Sequence, residues 1–429
     1  MSKVELRLEG TLAPITQPQP NDDAVSVSSD SFSDDSDEEL LARARKRRKF
    51  DQSTVTYNGV QALQPTKGRK TVLVTGGAGF IGSHTADHLL TRGDSVVVID
   101  ELNDYYSTTL KRANIAHNLT KHGPSNFKFV EGDICDEELV ERIFKEEGIT
   151  HVCHLAARAG VRPSIDDPQI YVHSNVRGTT NLLATAAKYK VQNFVFASSS
   201  SVYGGSKSTY FSESDAVDNP VSPYAATKKA CELLAHTYSH LYDLPCTGLR
   251  FFTVYGERGR PDMAPFKFVD RITKGKEMLQ FGDGSSSRDY TYISDIVDGT
   301  VRAIDRPYKY QVFNLGKGSG TTLMEFISIV EEMVGKKAIK KILPDQPGDV
   351  PRTCASTEKA KALLGYEATV TFREGMRRTV KDYNARNGFK DSRAVLEGEK
   401  MAPYEADVKQ GGMKRMPKIV SSAELGLCM

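Results

Sequence analysis

The sequence predicts an α/β protein with a doubly wound parallel sheet and a smaller C-terminal lobe. Short runs rich in Val, Ile and Phe alternate with amphipathic segments of helical length between residue 70 and the helix expected from Pro223. A cluster of glycines follows the first of these runs. Strands that alternate with helices are joined by right-handed crossovers, so the strands lie parallel and helices cover both faces. A chain of 429 residues, 39% of them hydrophobic, is long enough for this sheet and a second lobe.

The first strand, turn and helix lie in "KTVLVTGGAGFIGSHTADHLLTRGDSVVVID", residues 70–100. Gly76, Gly79 and Gly82 are suited to a turn whose backbone N–H groups approach a pyrophosphate that side chains would block. Asp100 ends the second apolar run, 18 residues after Gly82. An acidic side chain there accepts hydrogen bonds from the adenosine ribose hydroxyls and repels a 2′-phosphate. The pattern therefore predicts NAD, and not NADP, as the cofactor.

Further strand ends should border the same ligand. Apolar runs recur at "KFVEGDI", "HVCHLAA" and "NFVFASSS". Ligands of a doubly wound sheet bind beyond the carboxyl ends of its strands. We therefore expect Asp133 and Ile134 to flank the adenine, and Leu155, Ala156 and Ala157 to lie along the cofactor.

Hydroxyl groups follow the strand at "FASSSSVYG", residues 196–204, and "SPYAATKKA" comes some twenty residues later. Pro223 suits the first turn of a helix, which places Tyr224 and Lys228 at positions i and i+4 on one face. A phenol in water loses its proton only near pH 10; a neighbouring ammonium group and a positive nicotinamide ring favour the phenolate. A serine hydroxyl can hold the same substrate oxygen. The alternative for the pair alone is a buried tyrosine beside a surface lysine.

These motifs give residues from about 70 to 385 a resemblance to the extended short-chain dehydrogenase/reductases, in their NAD-dependent nucleotide-sugar epimerase and dehydratase branch, which have a Rossmann fold. "LRFFTVYG" (249–256) and "SRDYTYISDIVDGTVRAI" (287–304) also match. The resemblance implies that Tyr224 is the base, Lys228 its activator and a ribose ligand, and Ser199 the third catalytic residue. It implies the following NAD-binding set: Gly76, Gly79, Phe80, Ile81, Gly82, Asp100, Asn103, Asp133, Ile134, Leu155, Ala156, Ala157, Tyr224 and Lys228.

The serine run narrows the reaction within this branch. Members that eliminate water have acidic residues at the positions of Ser200 and Ser201, and members that decarboxylate UDP-glucuronate have a glutamate at the position of Ser201. A neutral hydroxyl is a poor base for removing the C5 proton. We therefore expect an enzyme that oxidises C4 and then returns the hydride.

Four stretches are most similar to UDP-glucuronate 4-epimerases: "DELNDYY" (100–106), "AARAGVRPSI" (156–165), "RGRPDMAPFKF" (258–268) and "QPGDVPRTCAS" (346–356). This similarity implies reversible C4 epimerisation of UDP-glucuronate to UDP-galacturonate through a transient 4-keto intermediate and bound NAD. A carboxylate on the sugar needs hydrogen-bond donors and compensating charge. The implied substrate-binding set is Arg162, Ser199, Ser200, Ser201, Tyr224, Thr253, Arg260 and Arg288, with Arg288 on the UDP phosphates.

Three alternatives stay open. UDP-glucose/UDP-galactose 4-epimerase uses the same redox residues, UDP-glucuronate decarboxylase ranks next, and a non-catalytic NAD- or nucleotide-sugar-binding protein is the third. Members of the branch often form homodimers through two packed helices. We expect a homodimer here, through the segment "TTNLLATAAKYK" and the helix of Tyr224.

Composition argues against several other classes of protein. A net charge of +2 gives no general field for nucleic acid. The six cysteines stand far apart without metal-ligand spacing, which favours a reducing compartment. We see neither an apolar run of the roughly 18 residues that span a bilayer nor the apolar core of a signal peptide. We therefore expect a cytoplasmic protein with no integral membrane segment.

Four segments are expected along the chain. Residues 1–65 read as a disordered acidic and basic tail, 66–250 as the NAD-binding Rossmann domain, and 251–385 as the sugar-nucleotide-binding lobe with return segments to that domain. Residues 386–429 are expected to form a flexible C-terminal tail. The basic run "KRRK" at 46–49 makes nuclear localisation a weaker alternative.

Overall fold

The computed structural model describes residues 55–206, 208–344 and 352–389. The expected tail up to residue 54, with its "KRRK" run, and the expected tail from residue 390 lie outside the described residues. So does most of "QPGDVPRTCAS".

Short strands and helices alternate along the described chain. The strands are β1 (Thr56–Tyr57), β2 (Val60–Gln61), β3 (Thr71–Thr75), β4 (Ser95–Asp100), β5 (Phe127–Glu131), β6 (His151–His154), β7 (Asn193–Ser199), β8 (Cys246–Phe251), β9 (Thr253–Tyr255), β10 (Met278–Phe281), β11 (Ser287–Arg288), β12 (Tyr290–Tyr292), β13 (Tyr310–Leu315), β14 (Thr321–Thr322) and β15 (Lys340–Leu343). The α-helices are α1 (Phe80–Thr91), α2 (Thr108–His122), α3 (Glu137–Glu147), α4 (Val161–Asp166), α5 (Pro168–Tyr171), α6 (Gly178–Lys188), α7 (Pro223–Tyr242), α8 (Ala264–Thr273), α9 (Ile293–Ile304), α10 (Leu323–Val334), α11 (Glu358–Leu364) and α12 (Phe372–Asn387). A π-helical turn (Val172–Arg177) precedes α6, and a 3₁₀ turn (Ser200–Tyr203) follows β7.

Seven strands form the central sheet in the order β13-β8-β7-β6-β3-β4-β5, and every pairing within it is parallel. From β3 the chain moves outward to β4 and β5, and then returns to β6 and continues in the opposite direction. The strand order therefore reverses between β3 and β6, which is where ligands bind in such sheets. The predicted doubly wound α/β fold is confirmed.

Alternate side chains of each strand serve the two faces of the sheet. Val72 and Val74 pack in the cluster that contains apolar residues of α1, α2 and α9. Leu73 and Val152 pack in a second cluster with residues of α3, α6 and α7. Because both faces are covered, the strands have nearly continuous apolar sequences, and it is this feature that made them recognisable.

The remaining strands form small pairs beside the central sheet. β9 pairs with β12 and β10 with β15, both in parallel, and β11 pairs with β14 antiparallel. Aromatic contacts join the helices around them: the ring centroids of Phe268 and Phe326 lie 5.0 Å apart, and those of Phe266 and Tyr383 lie 5.4 Å apart. The domain boundary expected after residue 250 falls within β8, and β13 returns to the central sheet. The division into two domains stays a prediction.

Residues 55–65 differ from the expected tail because they include an ordered hairpin. β1 and β2 pair antiparallel around Asn58 and Gly59, whose φ angles of 48° and 77° match a two-residue turn of the Asn-Gly kind. The backbone N–H of Leu63 donates to the Tyr308 hydroxyl at 3.0 Å, and Arg306 Nε donates to the Leu63 carbonyl at 3.0 Å. The residue that follows the hairpin is thus bonded to the folded core through both of its backbone polar groups. At the other end α12 runs to Asn387, two residues into the expected C-terminal tail.

Among the described residues, no helix combines the length and the apolar character required to cross a bilayer.

Candidate active site

The turn between β3 and α1 requires glycine at two places. Gly76 has a φ of +67°, and a Cβ there would lie 2.8 Å from the backbone of Ala156. A Cβ on Gly82 would collide with the Gly76 carbonyl oxygen. The Gly76 N–H donates to the Ile99 carbonyl at 2.8 Å, which fixes the turn against β4. The result is a space bounded by backbone at a helix N-terminus, the arrangement that accepts a pyrophosphate.

Asp100 lies at the end of β4 and faces this turn. Its Oδ2 accepts from the Ala78 N–H at 3.1 Å and its Oδ1 from the Leu102 N–H at 2.9 Å. Burial raises the pKa of the carboxyl, although these N–H donors and the Lys111 ammonium favour its charged form. A fixed carboxylate at the edge of the glycine turn fits a ribose diol.

Asp133, predicted to lie by the adenine, follows the carboxyl end of β5. Its Oδ1 accepts from the Cys135 N–H at 2.8 Å, and its Oδ2 lies 3.0 Å from His173 Nε2. Burial opposes ionisation of Asp133, but these hydrogen bonds lower its pKa below the usual value. The carboxylate can therefore accept from an amino group.

Tyr224 and Lys228 are positioned by the first turns of α7. Ser222 caps the helix, since its Oγ accepts from the Ala225 N–H at 3.1 Å. The Tyr224 N–H donates to Ser164 Oγ at 3.1 Å. Lys228 is buried, and its Nζ donates to the Ala197 carbonyl at 2.8 Å. The structure thus excludes the alternative in which the lysine is a surface residue.

The serine run turns sharply at the end of β7. Ser199 Oγ accepts from the Ser201 N–H at 3.1 Å and lies 3.2 Å from Ser201 Oγ. This capping bond starts the 3₁₀ turn and directs the run along the wall of the cavity. Three neutral hydroxyls are therefore presented on the same cavity as Tyr224 and Lys228.

The predicted residues meet around one cavity of about 410 Å³. Every residue predicted to bind the cofactor lines it, as do Ser199, Ser200, Ser201, Thr253 and Arg260. Arg162 and Arg288 are not among the described residues that line it. The Arg162 guanidinium lies 5.8 Å from the centroid of the Phe281 ring, and Arg288 Nη1 donates to the Ser287 carbonyl at 2.9 Å. The roles predicted for these two arginines stay predictions.

Arg260 is the predicted substrate residue with the most defined surroundings. Its Nε and Nη2 bind the Asp262 carboxylate at 3.0 and 2.5 Å, and its guanidinium lies 5.3 Å from the centroid of the Tyr105 ring. Burial opposes its charge, but the Asp262 carboxylate outweighs burial and raises its pKa. Arg260 is thus a fixed cation on the cavity wall.

Sequence reasoning missed several polar residues of this wall. Lys111 Nζ donates to the carbonyl oxygen and to Oδ1 of Asn103 at 2.7 and 2.9 Å. Arg158 Nη2 lies 3.3 Å from Glu101 Oε1, and Tyr105 also lines the cavity. The stretch "AARAGVRPSI" contains two arginines, and the one nearer the end of β6, Arg158, is the one on the wall. Proximity to a strand end was the signal that could have selected it.

Together these groups place a tyrosine, a lysine and a serine on one cavity of a Rossmann-type sheet, the combination suited to an enzyme that oxidises an alcohol with a dinucleotide. Such a site can remove a hydroxyl proton as a hydride leaves the same carbon. A sequence model of the GDP-mannose 4,6 dehydratase family matches residues 73–379. The chain belongs to this family of NAD-dependent nucleotide-sugar epimerases and dehydratases, which confirms the resemblance found in the sequence.

Individual relatives are similar over most of their length. A UDP-glucuronate 4-epimerase of Thermodesulfobacterium geofontis is 46% identical over 309 residues, which are 72% of this chain and 94% of the relative. The crystal structure of a UDP-glucuronic acid 4-epimerase from Bacillus cereus, in complex with UDP-glucuronic acid and NAD, matches with a TM-score of 0.69 and 37% identity, covering 74% of this chain and 99% of that one. A UDP-glucose 4-epimerase from Thermotoga maritima, solved with UDP-glucose, matches with a TM-score of 0.68 and 34% identity, covering 74% and 99%.

Proposed function

We propose that the protein is an NAD-dependent 4-epimerase that interconverts UDP-glucuronate and UDP-galacturonate. The observation that carries the proposal is the 3₁₀ turn, which presents neutral serines where family members that eliminate water or decarboxylate have a carboxylate. Tyr224, Lys228 and Ser199 lie on the same cavity. The relatives named above support the same substrate.

The chain's own residues fit NAD. The glycine turn leaves a space that a Cβ at Gly76 or Gly82 would fill, and Asp100 places a carboxylate at the edge of this space. When bound there, NAD supplies the acceptor and the later donor of the C4 hydride. Lys228, which is held to the end of β7, would contact the ribose and keep the region around Tyr224 positive.

Proton movement at the substrate is assigned to Tyr224. Its phenolate takes the proton of the 4′-hydroxyl while Ser199 Oγ holds the same oxygen. The 4-keto sugar then rotates in the cavity and presents its other face. Tyr224 returns the proton to the C4 oxygen as the opposite configuration at C4 is formed. Because Tyr224 both takes the proton from the substrate and returns it, we expect the complete reaction to consume and release no proton.

Ser200, Ser201, Thr253 and Arg260 would hold the sugar carboxylate. The 4-keto intermediate is a β-keto acid, which loses carbon dioxide when its C5–C6 bond aligns with the carbonyl π system. Hydrogen bonds from the serine run and from Thr253 would keep the carboxylate out of this alignment. Replacing Ser200 and Ser201 together with alanine should raise the amount of UDP-pentose by-product, and an unchanged amount would count against this restraint.

One alternative has specific support, because the Thermotoga UDP-glucose 4-epimerase matches the fold almost as well as the Bacillus enzyme does. A proton NMR time course with UDP-glucuronate, and a parallel one with UDP-glucose, both without added NAD, separates the two. Growth of the UDP-galacturonate anomeric signal to a plateau without UDP-xylose is the expected result. Turnover of UDP-glucose and not of UDP-glucuronate would identify the protein as a UDP-glucose/UDP-galactose 4-epimerase instead. NAD binding without turnover of either sugar would favour a binding protein.

A homodimer and a cytoplasmic location are further parts of the proposal. Leu233 and Leu241 of α7 are 57% and 61% exposed, so the helix predicted to form the dimer has apolar surface available. Multi-angle light scattering tests the dimer.

The five cysteines within the described residues are buried and free, which fits a reducing compartment. Cell fractionation tests the location and would also detect a nuclear fraction.

A further inference from the structure

A buried ion pair lies beside the serine turn, by which we mean Ser199 together with the 3₁₀ turn Ser200–Tyr203 that it caps. Arg250 of β8 binds the Glu232 carboxylate of α7 through two hydrogen bonds, Nε–Oε1 at 2.8 Å and Nη2–Oε2 at 2.9 Å. The side chains of Arg250 and Glu232 are only 4% and 2% exposed. Burial of two charges is costly, so a pair in this position is retained only if its remaining polar atoms also have partners. Those partners show what the pair does.

Both ends of the serine turn are anchored to this pair. Ser198, immediately before the turn, donates from Oγ to Glu232 Oε1 at 2.7 Å. Arg250 Nη1 donates to the hydroxyl of Tyr203, the last residue of the turn, at 3.0 Å. The Tyr203 hydroxyl donates onward to Asn314 Oδ1 at 2.6 Å. Ser200 and Ser201, which lie between these anchors, are two of the residues proposed to hold the substrate carboxylate.

The same pair connects the turn to the helix of Tyr224. Tyr224, Lys228 and Glu232 are spaced four residues apart, so they follow one another along one face of α7. Lys228 is bonded to the carbonyl of Ala197 and Glu232 to the side chain of Ser198. The helix and the strand end are therefore joined at consecutive residues. Neither Glu232 nor Arg250 is among the described residues lining the cavity.

We propose that the Glu232–Arg250 pair positions the serine turn against Tyr224, and thereby determines whether the 4-keto acid is reduced again or loses its carboxyl group. The inference rests on the proposed function for its chemical consequence and on the hydrogen bonds alone for its structural part. Glu232 and Arg250 are positioning residues, since they act through Ser198 and Tyr203.

The side reaction is simple to follow. When the carboxylate is free to rotate, the C5–C6 bond of the 4-keto acid breaks, and carbon dioxide leaves. The electron pair of that bond forms the enolate across C4 and C5, and C5 then takes a proton from solvent. The product is a 4-keto pentose nucleotide. Each such event therefore releases one carbon dioxide, which carboxyl-labelled UDP-glucuronate makes measurable.

Two variants remove one anchor each and keep both residues of the ion pair. Ser198→Ala deletes the donor to Glu232. Tyr203→Phe deletes the hydroxyl and keeps the ring, which stacks on Phe211 with centroids 4.8 Å apart. Thr247→Val is the matched control for the serine, because Thr247 is buried on β8 and its Oγ1 has no hydrogen-bond partner within the described residues. Tyr308→Phe is the control for the tyrosine, since its hydroxyl bonds to the Leu363 carbonyl away from the cavity.

The first readout is independent of turnover. Hydrogen exchange of the amides in the 3₁₀ turn should become about tenfold faster in Ser198→Ala and Tyr203→Phe, because each loses a hydrogen bond to a charged group. The two controls should retain the exchange rate of the parent protein at the turn. Equal exchange in all proteins overturns the positioning role, whatever sugar the enzyme uses.

The second readout is the ratio of labelled carbon dioxide to UDP-galacturonate. We expect this ratio to rise about tenfold in both test variants and to stay at the parent value in both controls. A parent-like ratio in the test variants, with epimerisation intact, overturns the proposed control of product choice. Absence of UDP-glucuronate turnover in the parent protein would refute the proposed function instead, and with it this control of product choice, while the exchange result would still decide the positioning role.

Discussion

The ammonium group of Lys228 donates a hydrogen bond to the Ala197 carbonyl, 2.8 Å away, and so joins helix α7 to the last residues of strand β7. Tyr224 lies one helical turn before Lys228, and Ser199 lies two residues after Ala197. This contact therefore holds the part of α7 that carries the tyrosine and the lysine against the strand end that carries the serine.

Replacing Tyr224 by phenylalanine should reduce the turnover number of epimerisation by about 10²–10⁴-fold, because the group that takes and returns the hydroxyl proton is lost. UDP-glucuronate should still bind, since the cavity keeps its shape. NMR rate measurements and calorimetric binding titrations test the two statements. Tyr308→Phe, which also removes a buried tyrosine hydroxyl, is the control. A turnover number like that of the control would exclude Tyr224 as the base.

Asp100 should set the choice between NAD and NADP. Asp100→Ala removes the carboxylate that would repel a 2′-phosphate, so we expect the preference for NAD to fall by about tenfold or more. Binding titrations of both nucleotides to nucleotide-free protein measure it. Asp94→Asn alters a buried carboxylate that accepts from the Lys70 N–H at the opposite end of β4 and should leave the preference unchanged. Equal changes in both variants would contradict the assignment.

Gly76→Ala should abolish dinucleotide binding and lower thermal stability. Gly93→Ala is a matched comparison, because Gly93 also has a positive φ, of 99°, but a Cβ there would meet nothing within 4 Å. The backbone conformation alone costs roughly 1–2 kcal/mol in each variant. At Gly76 the collision with Ala156 adds to this cost. Scanning calorimetry should therefore give a clearly lower melting temperature for Gly76→Ala than for Gly93→Ala, and nucleotide titration should give a weaker affinity for NAD. Similar values for both variants would mean that the turn can relax.

The sequence predicted those parts of the structure that depend on the residue types within one short segment. Continuous apolar strands, the glycine turn and the Tyr224–Lys228 spacing each identify a local arrangement, and parallel topology brings their strand ends to one edge. The confirmed sheet and the shared cavity follow from these features. Asn58-Gly59, with Tyr57 and Val60 beside it, is also a local hairpin signal, and the expectation of a disordered tail up to residue 65 was wrong at this hairpin.

Other features depend on how distant segments pack. Nothing in the local sequence of Lys111 indicates that it lines the cavity, because its position follows from the docking of α2. The pairing of Glu232 with Arg250 joins a helix to a strand 18 residues away. Arg162 shows the converse, since a basic residue in a characteristic stretch lies over Phe281 and does not line the cavity.

Mild acid should destabilise the protein through histidines that are buried without charge. Burial is the main cause that lowers the pKa of His84 and of His154 to about 3 and that of His151 to about 4. In the unfolded chain each imidazole takes a proton near pH 6.5, so the unfolded state binds more protons below that pH. Stability is therefore fully present above pH 6.5 and is lost as the pH falls toward the folded values.

Between about pH 6 and pH 4.5 the three histidines together should reduce the free energy of unfolding by up to about 4 kcal/mol per pH unit. Carboxylates with lowered pKa, such as Asp87 at about 2, contribute only at lower pH, because their unfolded values lie near 4. Urea unfolding at pH 6.5, 5.5 and 4.5 measures the slope. His84→Gln should remove about one third of the slope, because one of the three groups no longer titrates. A flat profile over this range would mean that these imidazoles become protonated within the folded protein.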